Sequence, residues 1–345
     1  MANLVRYQDR DIVNDVSRVT TSTWSDNTNN LQVAFTSSTQ YQTGSPTSSG
    51  AHFIDVLNKD PNADTTAAVQ YAVAYGHRKG SGSLNFTNDT GAIGNSATKN
   101  IYSQYRQLVF GDETSNFSFN GFTPDDIYVI NIERARFKHN LKPGTLDLRL
   151  SSGSGGGDET LKLTDDSLTT TGSSTITNAG RQFNIVSGSL GSMLGSNLTQ
   201  VTDSGSYGLF YPDSGFIILN PAAIDHTLIS MVPGTSNNTE DKNHQKLFTA
   251  ISHSGHFIVD SEEKVSSQFY FTRATNTEFN YTTNPSFIDS SGNLNFTSMI
   301  DNPTTFITTV GLYNDNGDLV AVAKLSQPVT KDFTKEALIR VKLDY

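Results

Sequence analysis

The segment 76–83, Gly-His-Arg-Lys-Gly-Ser-Gly-Ser, has the residue types of a loop that binds phosphate. A P-loop requires Gly-x4-Gly-Lys-Ser/Thr, however, and here the lysine precedes the second glycine. No strand–turn–helix pattern surrounds the segment, so it is not a dinucleotide-binding fingerprint either. Two interpretations remain. Arg78 and Lys79 are interface candidates on a basic loop that contacts an acidic partner, or the segment is an ordinary loop.

Three pairs of adjacent acidic residues could supply the two carboxylates of a glycosidase: Asp125-Asp126, Asp165-Asp166 and Glu262-Glu263. Neighbouring side chains on a strand point to opposite faces, so adjacency alone does not place two carboxylates across a cleft. A chain with 34 acidic residues is expected to contain such pairs by chance. No Gly-x-Ser-x-Gly elbow occurs. We therefore predict no catalytic residues and a protein that is not an enzyme.

Two segments have spacings that resemble metal sites. His253-Ser-Gly-His256 lacks a cysteine partner, because the chain contains none, and its surroundings have the composition of a loop. Asn314-Asp-Asn-Gly-Asp318 resembles a calcium loop, but an EF-hand requires a glutamate six residues after the glycine, and residue 323 is alanine. We predict no metal site and no other cofactor.

The segment 277–287 contains more aromatic and asparagine residues than a simple strand requires. Such side chains suit the centre of an interface, where apolar area and hydrogen bonds are buried together. Phe279, Asn280 and Tyr281 are therefore further interface candidates. A loop packed into the core is the alternative.

The C-terminal residues carry the clearest structural pattern. Asn316-Gly317 lies between two apolar runs, which predicts a hairpin with a type I′ turn. Ile339, Val341 and Leu343 alternate with polar residues, as a half-buried strand requires. We predict that residues 305–343 form a three-stranded antiparallel meander.

Other segments predict a mainly β (β-rich α+β) fold of antiparallel sheets or a sandwich. One short amphipathic helix is predicted near 99–110, with Gly111 as its C-terminal cap. Residues 67–75 are expected to be a buried strand, with a helix as the alternative. Residues 127–132 are also expected to be a buried strand, and 234–246 a polar loop. The glycine-rich segment 151–157 is interpreted as a flexible hairpin tip, with an interdomain linker as the alternative. Residues 1–50 are expected to be an irregular arm, and 51–345 a body that can divide into two lobes.

Composition narrows the classes of function. The chain has 345 residues, 17% of them charged, with 27 glycines, no cysteine and a net charge of −10. The negative charge argues against bulk binding of nucleic acid, and the absence of cysteine excludes a disulfide framework. We recognise neither a signal peptide nor an apolar run of the length that spans a membrane.

Six segments together have sequences that resemble those of a known class of proteins: 74–83, 101–106, 127–136, 211–221, 278–285 and 310–343. They resemble virion structural proteins of contractile-tailed phages, especially large phages of cyanobacteria and marine bacteria. The resemblance extends from about residue 50 to the C-terminal end. It implies a component of the particle, in the tail or baseplate, and it supplies no catalytic residues.

We therefore expect a non-enzymatic structural subunit of a tailed-phage virion, in the tail, baseplate or neck, assembled in the host cytoplasm. Its partners would be other virion proteins or copies of itself. The alternative is a carbohydrate-binding receptor module of a fibre, which should expose aromatic residues in a shallow groove. A third hypothesis is a virion-associated glycan hydrolase, which needs paired acids in a cleft.

Overall fold

The structure is a computed structural model. It describes residues 5–25, 36–42, 53–60, 63–82, 97–152, 160–169, 174–194, 203–225, 231, 233, 243–281 and 285–345, with backbone only for 36–42 and 298. Strands make up 46% and helices 15%, so the prediction of a mainly β fold with antiparallel sheets is confirmed. No helix within these ranges is both long and apolar enough to span a membrane.

The first strands in chain order are β1 (Ile12–Ser22), β2 (Thr36–Gln42), β3 (Phe53–Leu57), β4 (Val69–His77), β5 (Asp126–Ile132), β6 (Asn140–Leu141), β7 (Asp147–Ser151), β8 (Thr160–Asp165) and β9 (Thr175–Thr177). They are followed by β10 (Gly180–Ser189), β11 (Ser192–Met193), β12 (Gly208–Tyr211), β13 (Phe216–Leu219), β14 (Phe257–Ile258), β15 (Asp260–Ala274), β16 (Thr305–Tyr313), β17 (Leu319–Lys331) and β18 (Ala337–Asp344). The α-helices are α1 (Ala97–Phe110), α2 (Pro221–Ile224), α3 (Asn243–Ser254) and α4 (Ser298–Asp301), with 3-10 turns at Asp9–Asp11 and Arg134–Arg136.

The chain divides into two compact units. Unit 1 comprises residues 1–18 and 264–345, and unit 2 comprises residues 19–263. Residues 12–22, within the segment expected to be an irregular arm, form β1. The predicted tip of the β7–β8 hairpin is described only at residues 151 and 152; the rest of it, 153–157, lies outside the described residues.

Unit 2 is organised around one antiparallel sheet with the strand order β14-β7-β8-β10-β12-β13-β5-β4-β3-β2, in which β9 and β11 also pair with β10. Its central strands β12 and β13 are buried throughout, so both faces of the sheet are covered. This is why these strands have nearly continuous apolar sequences. The predicted strands at 67–75 and 127–132 are β4 and β5 of this sheet.

Two helices cover opposite faces of this sheet. Side chains alternate along β5: Ile130 belongs to the cluster that includes Leu247 and Ile251 of α3, whereas Val129 belongs to the cluster that includes Tyr102 of α1. Helix α1 confirms the helix predicted near 99–110. Gly111, at φ +74°, ends it, and its N–H donates to the carbonyl of Gln107.

Helix α3 shows that the loop predicted for residues 234–246 was wrong at its C-terminal end. Residues 243–246 are helical, whereas 234–242 lie outside the described residues. Leu247, Ala250 and Ile251 are buried at the i, i+3, i+4 spacing of an amphipathic helix. The polar residues that precede them belong to its first turn, which conceals the start of the helix in the sequence.

Unit 1 contains the C-terminal strands. The prediction of a three-stranded meander was wrong for the third strand, which does not pair with the second. Strands β16 and β17 form a two-stranded sheet, but β18 pairs with β15 from Ser267–Asp344 to Ala274–Ala337. Val341 of β18 packs against Val310 and Leu312 of β16 in one apolar cluster. The apolar faces of the two pieces are thus buried by stacking, which a flat meander with all three strands side by side would not achieve.

The hairpin at Asn316-Gly317 is confirmed, but its turn type is different from the predicted type I′. Gly317 has φ +85°, whereas Asn316 does not have a positive φ. The N–H of Gly317 donates to the carbonyl of Asn314 at 3.0 Å, and a register shift lies between Leu312 and Tyr313. Only the glycine therefore adopts the left-handed conformation, as in hairpins that combine a tight turn with a bulge.

Candidate functional site

The basic loop of unit 2 follows β4 directly. Gly80 and Gly82 have φ values of +95° and +79°, which the chain needs in order to turn here. Both cations face Asp125: Arg78 forms an ion pair with it, and Lys79 Nζ lies 4.0 Å from its Oδ2. The side chain of Arg78 is 35% exposed and that of Lys79 62%. Lys79 is therefore the more available cation, and part of the loop's positive charge is compensated within the chain.

The neighbouring carboxyl group of Asp126 has a different environment. The hydroxyl of Tyr75 donates to Asp126 Oδ2 at 3.1 Å. Burial raises the pKa of Asp126 to about 6, and the nearby charge of Asp125 acts in the same direction. Burial also lowers the pKa of His77, which pairs with Asp126 in the sheet register. The two acids of this pair thus contact different groups.

The remaining acidic pairs support the backbone. Asp165 accepts hydrogen bonds from the N–H of Gly144 at 2.7 and 3.0 Å, and Asp166 accepts from the backbone and side chain of Asn184. Burial raises the pKa of both carboxyl groups. Glu262 lies in β15, where it pairs with Asn140 of β6. The carboxylates of Asp165 and Asp166 are thus engaged in local structure.

His256 contacts a buried carboxylate rather than a metal cluster. Its Nε2 lies 3.0 Å from Asp147 Oδ2, and Asp147 also accepts hydrogen bonds from Arg149 and from the Ser189 hydroxyl. Burial alone would raise the pKa of Asp147, but these donors outweigh it and lower that pKa. Ser189 donates to the aspartate and not to the histidine, so this is not the order of a serine-hydrolase triad. Within the described ranges, no three His, Cys, Asp or Glu residues could hold a metal.

The aromatic candidates of unit 1 lie on a strained, partly exposed turn. Phe279 has φ +53°, which is unfavourable for a residue other than glycine, and its carbonyl accepts a hydrogen bond from the Thr305 hydroxyl. Phe279 is 38% and Tyr281 58% exposed, which leaves both rings available to a partner. Asn280 between them is buried.

Asn280 belongs to a buried polar cluster that sequence reasoning missed. Lys331 is fully buried, and its ammonium donates to Asn280 Oδ1 at 2.7 Å and to the carbonyls of Asn276 and Asp332. All three N–H donors of the ammonium are therefore used, which makes its burial tolerable. The sequence places Lys331 after a proline-containing run and has no signal for this contact. Asn280 fixes the turn that carries Phe279 and Tyr281.

A surface cavity of about 440 Å³ lies in unit 2 at the C-terminal end of α1. The β9–β10 hairpin forms one side of it, because the N–H of Asn178 donates to the carbonyl of Val109 in α1. Gly111 allows this approach, since a Cβ atom there would lie 2.5 Å from Asn178 Nδ2. None of the predicted site residues lines this cavity.

No protein-family model matches the chain, and neither a curated protein nor a solved structure shows significant similarity to it.

Proposed function

We propose that this chain is a non-enzymatic structural subunit of a tailed-phage virion, which packs against other chains of the tail or baseplate through unit 1. The assembly role is supported by the exposed apolar side chains on the outer face of the β16–β17 hairpin. Tyr313, Leu319 and Val322 are 46%, 53% and 57% exposed on strands that are otherwise well paired. The assignment to a virion rests on the resemblance of the sequence segments to phage proteins.

These three side chains form one apolar surface, which we call the hairpin patch. Val322 lies directly opposite Gly311 in the register, and a Cβ atom at Gly311 would be 3.0 Å from the Tyr313 ring and 3.2 Å from Leu319 Cδ1. The absence of a side chain at Gly311 therefore lets Tyr313 and Leu319 lie flat over the sheet. A continuous apolar surface of this kind is typical of an interaction site.

The other face of the same hairpin already packs within unit 1. Val310 and Leu312 are buried there with Val341. Apolar residues on both faces of β16 and β17 are typical of strands that are covered on both sides. This chain covers one face of the hairpin itself, and we assign the other face to a neighbouring subunit.

Unit 1 as a whole is poor in buried apolar residues and rich in exposed ones. Most of the exposed large apolar side chains in the described part belong to it, although it comprises only residues 1–18 and 264–345. Strand β1 contributes Val13 and Val16, which are 46% and 59% exposed. A domain that lacks a sufficient core of its own gains stability by burying such surface against partners.

The assembly proposal is tested by placing charge on the hairpin patch. The double variant Leu319→Glu/Val322→Glu should fold normally, because both side chains are exposed in the isolated chain. It should fail to enter particles, because two carboxylates would be buried without partners. The measurement is the amount of the chain in purified virions by quantitative mass spectrometry, together with its melting temperature in isolation.

The matched control is Thr308→Glu/Ser326→Glu, which adds the same charge at exposed polar positions of the same hairpin. It should enter particles as the unmodified chain does. If the patch variant is also incorporated at the normal level, the hairpin patch is not the assembly surface. If the unmodified chain is absent from purified virions, the virion proposal itself is wrong.

A further inference from the structure

We propose that the cavity at the C-terminal end of α1 binds a neutral, hydroxyl-rich ligand, namely a glycan unit of one or two sugar residues. Its volume of about 440 Å³ lies within the range of small-ligand sites. This inference is independent of the assembly role, since the cavity belongs to unit 2 and the hairpin patch to unit 1.

The polar side chains that line the cavity are all uncharged. They are Asn116, Ser118, Thr175, Thr177, Asn178 and Gln182. A carboxylate, phosphate or ammonium group would lose hydration here without meeting an opposite charge among the described lining residues. A ligand with hydroxyl groups matches amide and hydroxyl side chains, which both donate and accept hydrogen bonds.

Asn116 is one of two asparagines that line the cavity. An amide side chain both donates and accepts hydrogen bonds, so a ligand hydroxyl can pair with it in either orientation of the amide.

Other polar groups of the cavity are held in place before any ligand binds. The Tyr211 hydroxyl donates to Gln182 Oε1 at 2.9 Å, which fixes the orientation of the amide. The Thr177 hydroxyl donates to the Gly180 carbonyl at 3.0 Å and accepts from the Ala179 N–H. Preorganised groups of this kind lower the entropic cost of binding.

The apolar part of the cavity suits the C–H face of a sugar ring. Val109 and Leu209 are buried, and Ile176 is 71% exposed. The ring of Phe110 is held by Phe117, with centroids 5.2 Å apart. A pocket with an apolar lining and a few fixed polar groups is the usual composition of a small-molecule site.

The test uses the full-length chain and four neutral sugars: glucose, galactose, mannose and N-acetylglucosamine. Saturation-transfer NMR titrations up to about 50 mM should show saturable binding of at least one of them. Glucose 6-phosphate should bind more weakly than glucose. Binding of none of the four sugars, or tighter binding of the phosphate, would overturn the proposal.

Two variants locate the site. Asn116→Leu should weaken binding at least tenfold without lowering the melting temperature, because it replaces an amide of the cavity lining with an apolar side chain of similar size. Ser118→Trp, at an exposed position, should fill the cavity and abolish binding. The matched control Asn316→Leu changes an exposed asparagine of the β16–β17 turn and should bind normally. Unchanged affinity in either cavity variant would place the bound sugar elsewhere and refute this site.

Discussion

At the scale of single residues, the environment of each acidic group decides what it does. Asp125 and Asp126 are adjacent in sequence, yet Asp125 pairs with Arg78 and Lys79 whereas Asp126 accepts a hydrogen bond from Tyr75. Because Asp126 is mostly buried, its charged form is disfavoured. The group is therefore expected to make folding stability depend on pH.

We predict that Asp126 destabilises the folded chain once it ionises. Its pKa is about 6 in the folded state against 3.8 for the ordinary group. The stability of the folded chain is therefore highest with respect to this group below about pH 4, where Asp126 is protonated, and it falls as the pH rises through 6. Asp126→Asn removes this titration and should be more stable than the unmodified chain at pH 7, by up to about 3 kcal/mol. Urea unfolding at pH 4 and pH 7 measures the difference.

The control for this prediction is the comparison at pH 4, where the two chains should have nearly equal free energies of unfolding. The Tyr75 hydroxyl can still donate to the asparagine side chain, so the variant keeps its hydrogen bond. A stability difference between the two chains that does not change with pH would show that folding does not raise the pKa of Asp126.

At the scale of elements, glycines mark the positions where the chain turns or where two elements approach closely. Gly76 of β4 lies under helix α1, and a Cβ atom there would be 2.8 Å from the backbone nitrogen of Tyr102. Gly317 has a different role, since a Cβ atom would meet nothing within 4 Å but the backbone has φ +85°. The first glycine is required by packing and the second by backbone conformation.

We predict that Gly317→Val destabilises the chain by about 1–2 kcal/mol, because a β-branched residue resists a positive φ. Asn316→Val should have a much smaller effect, since residue 316 does not have a positive φ. Thermal unfolding of the two variants measures this. Equal destabilisation by both would indicate the type I′ turn, in which both central residues need positive φ.

At the scale of the whole molecule, charge and apolar exposure are unevenly distributed. The chain carries a net charge of −10, and Arg78 and Lys79 form a small basic surface beside Asp125. Such a surface can select an acidic partner and accelerate the encounter without adding much affinity. The proposed assembly would thus use apolar contact on unit 1 and charge on the basic loop of unit 2.

We predict that Arg78→Glu/Lys79→Glu folds normally but is excluded from particles. The ion pairs with Asp125 are partly exposed, so their loss should cost no more than about 1 kcal/mol. The control Lys99→Glu/Lys162→Glu reverses two exposed lysines and changes the net charge equally. Incorporation is measured by mass spectrometry of purified virions, and normal incorporation of the first variant would exclude the basic loop as a contact.

Local patterns were sufficient for many elements. The helix near 99–110, the strand at 127–132 and the hairpin at Asn316-Gly317 follow from periodicity and turn residues within one segment. Helix α3 carried the same periodicity at Leu247, Ala250 and Ile251, but the polar residues before it obscured where it begins. The candidate site was harder to predict. Arg78 and Lys79 could be chosen by residue type, but their pairing with Asp125 depends on the position of β5, which Asp125 directly precedes.

The sequence by itself determined the β-rich class, the alternation of β18 and the absence of disulfides, because each depends on composition or on neighbours along the chain. Only the tertiary structure decided that β18 pairs with β15, that Asn280 holds the buried Lys331, and that residues from the segments 109–118 and 175–182 line one cavity together with Leu209. These contacts join positions that are far apart in sequence. Several partners satisfy the same local pattern, and the choice among them depends on which arrangement buries the apolar faces of all strands together.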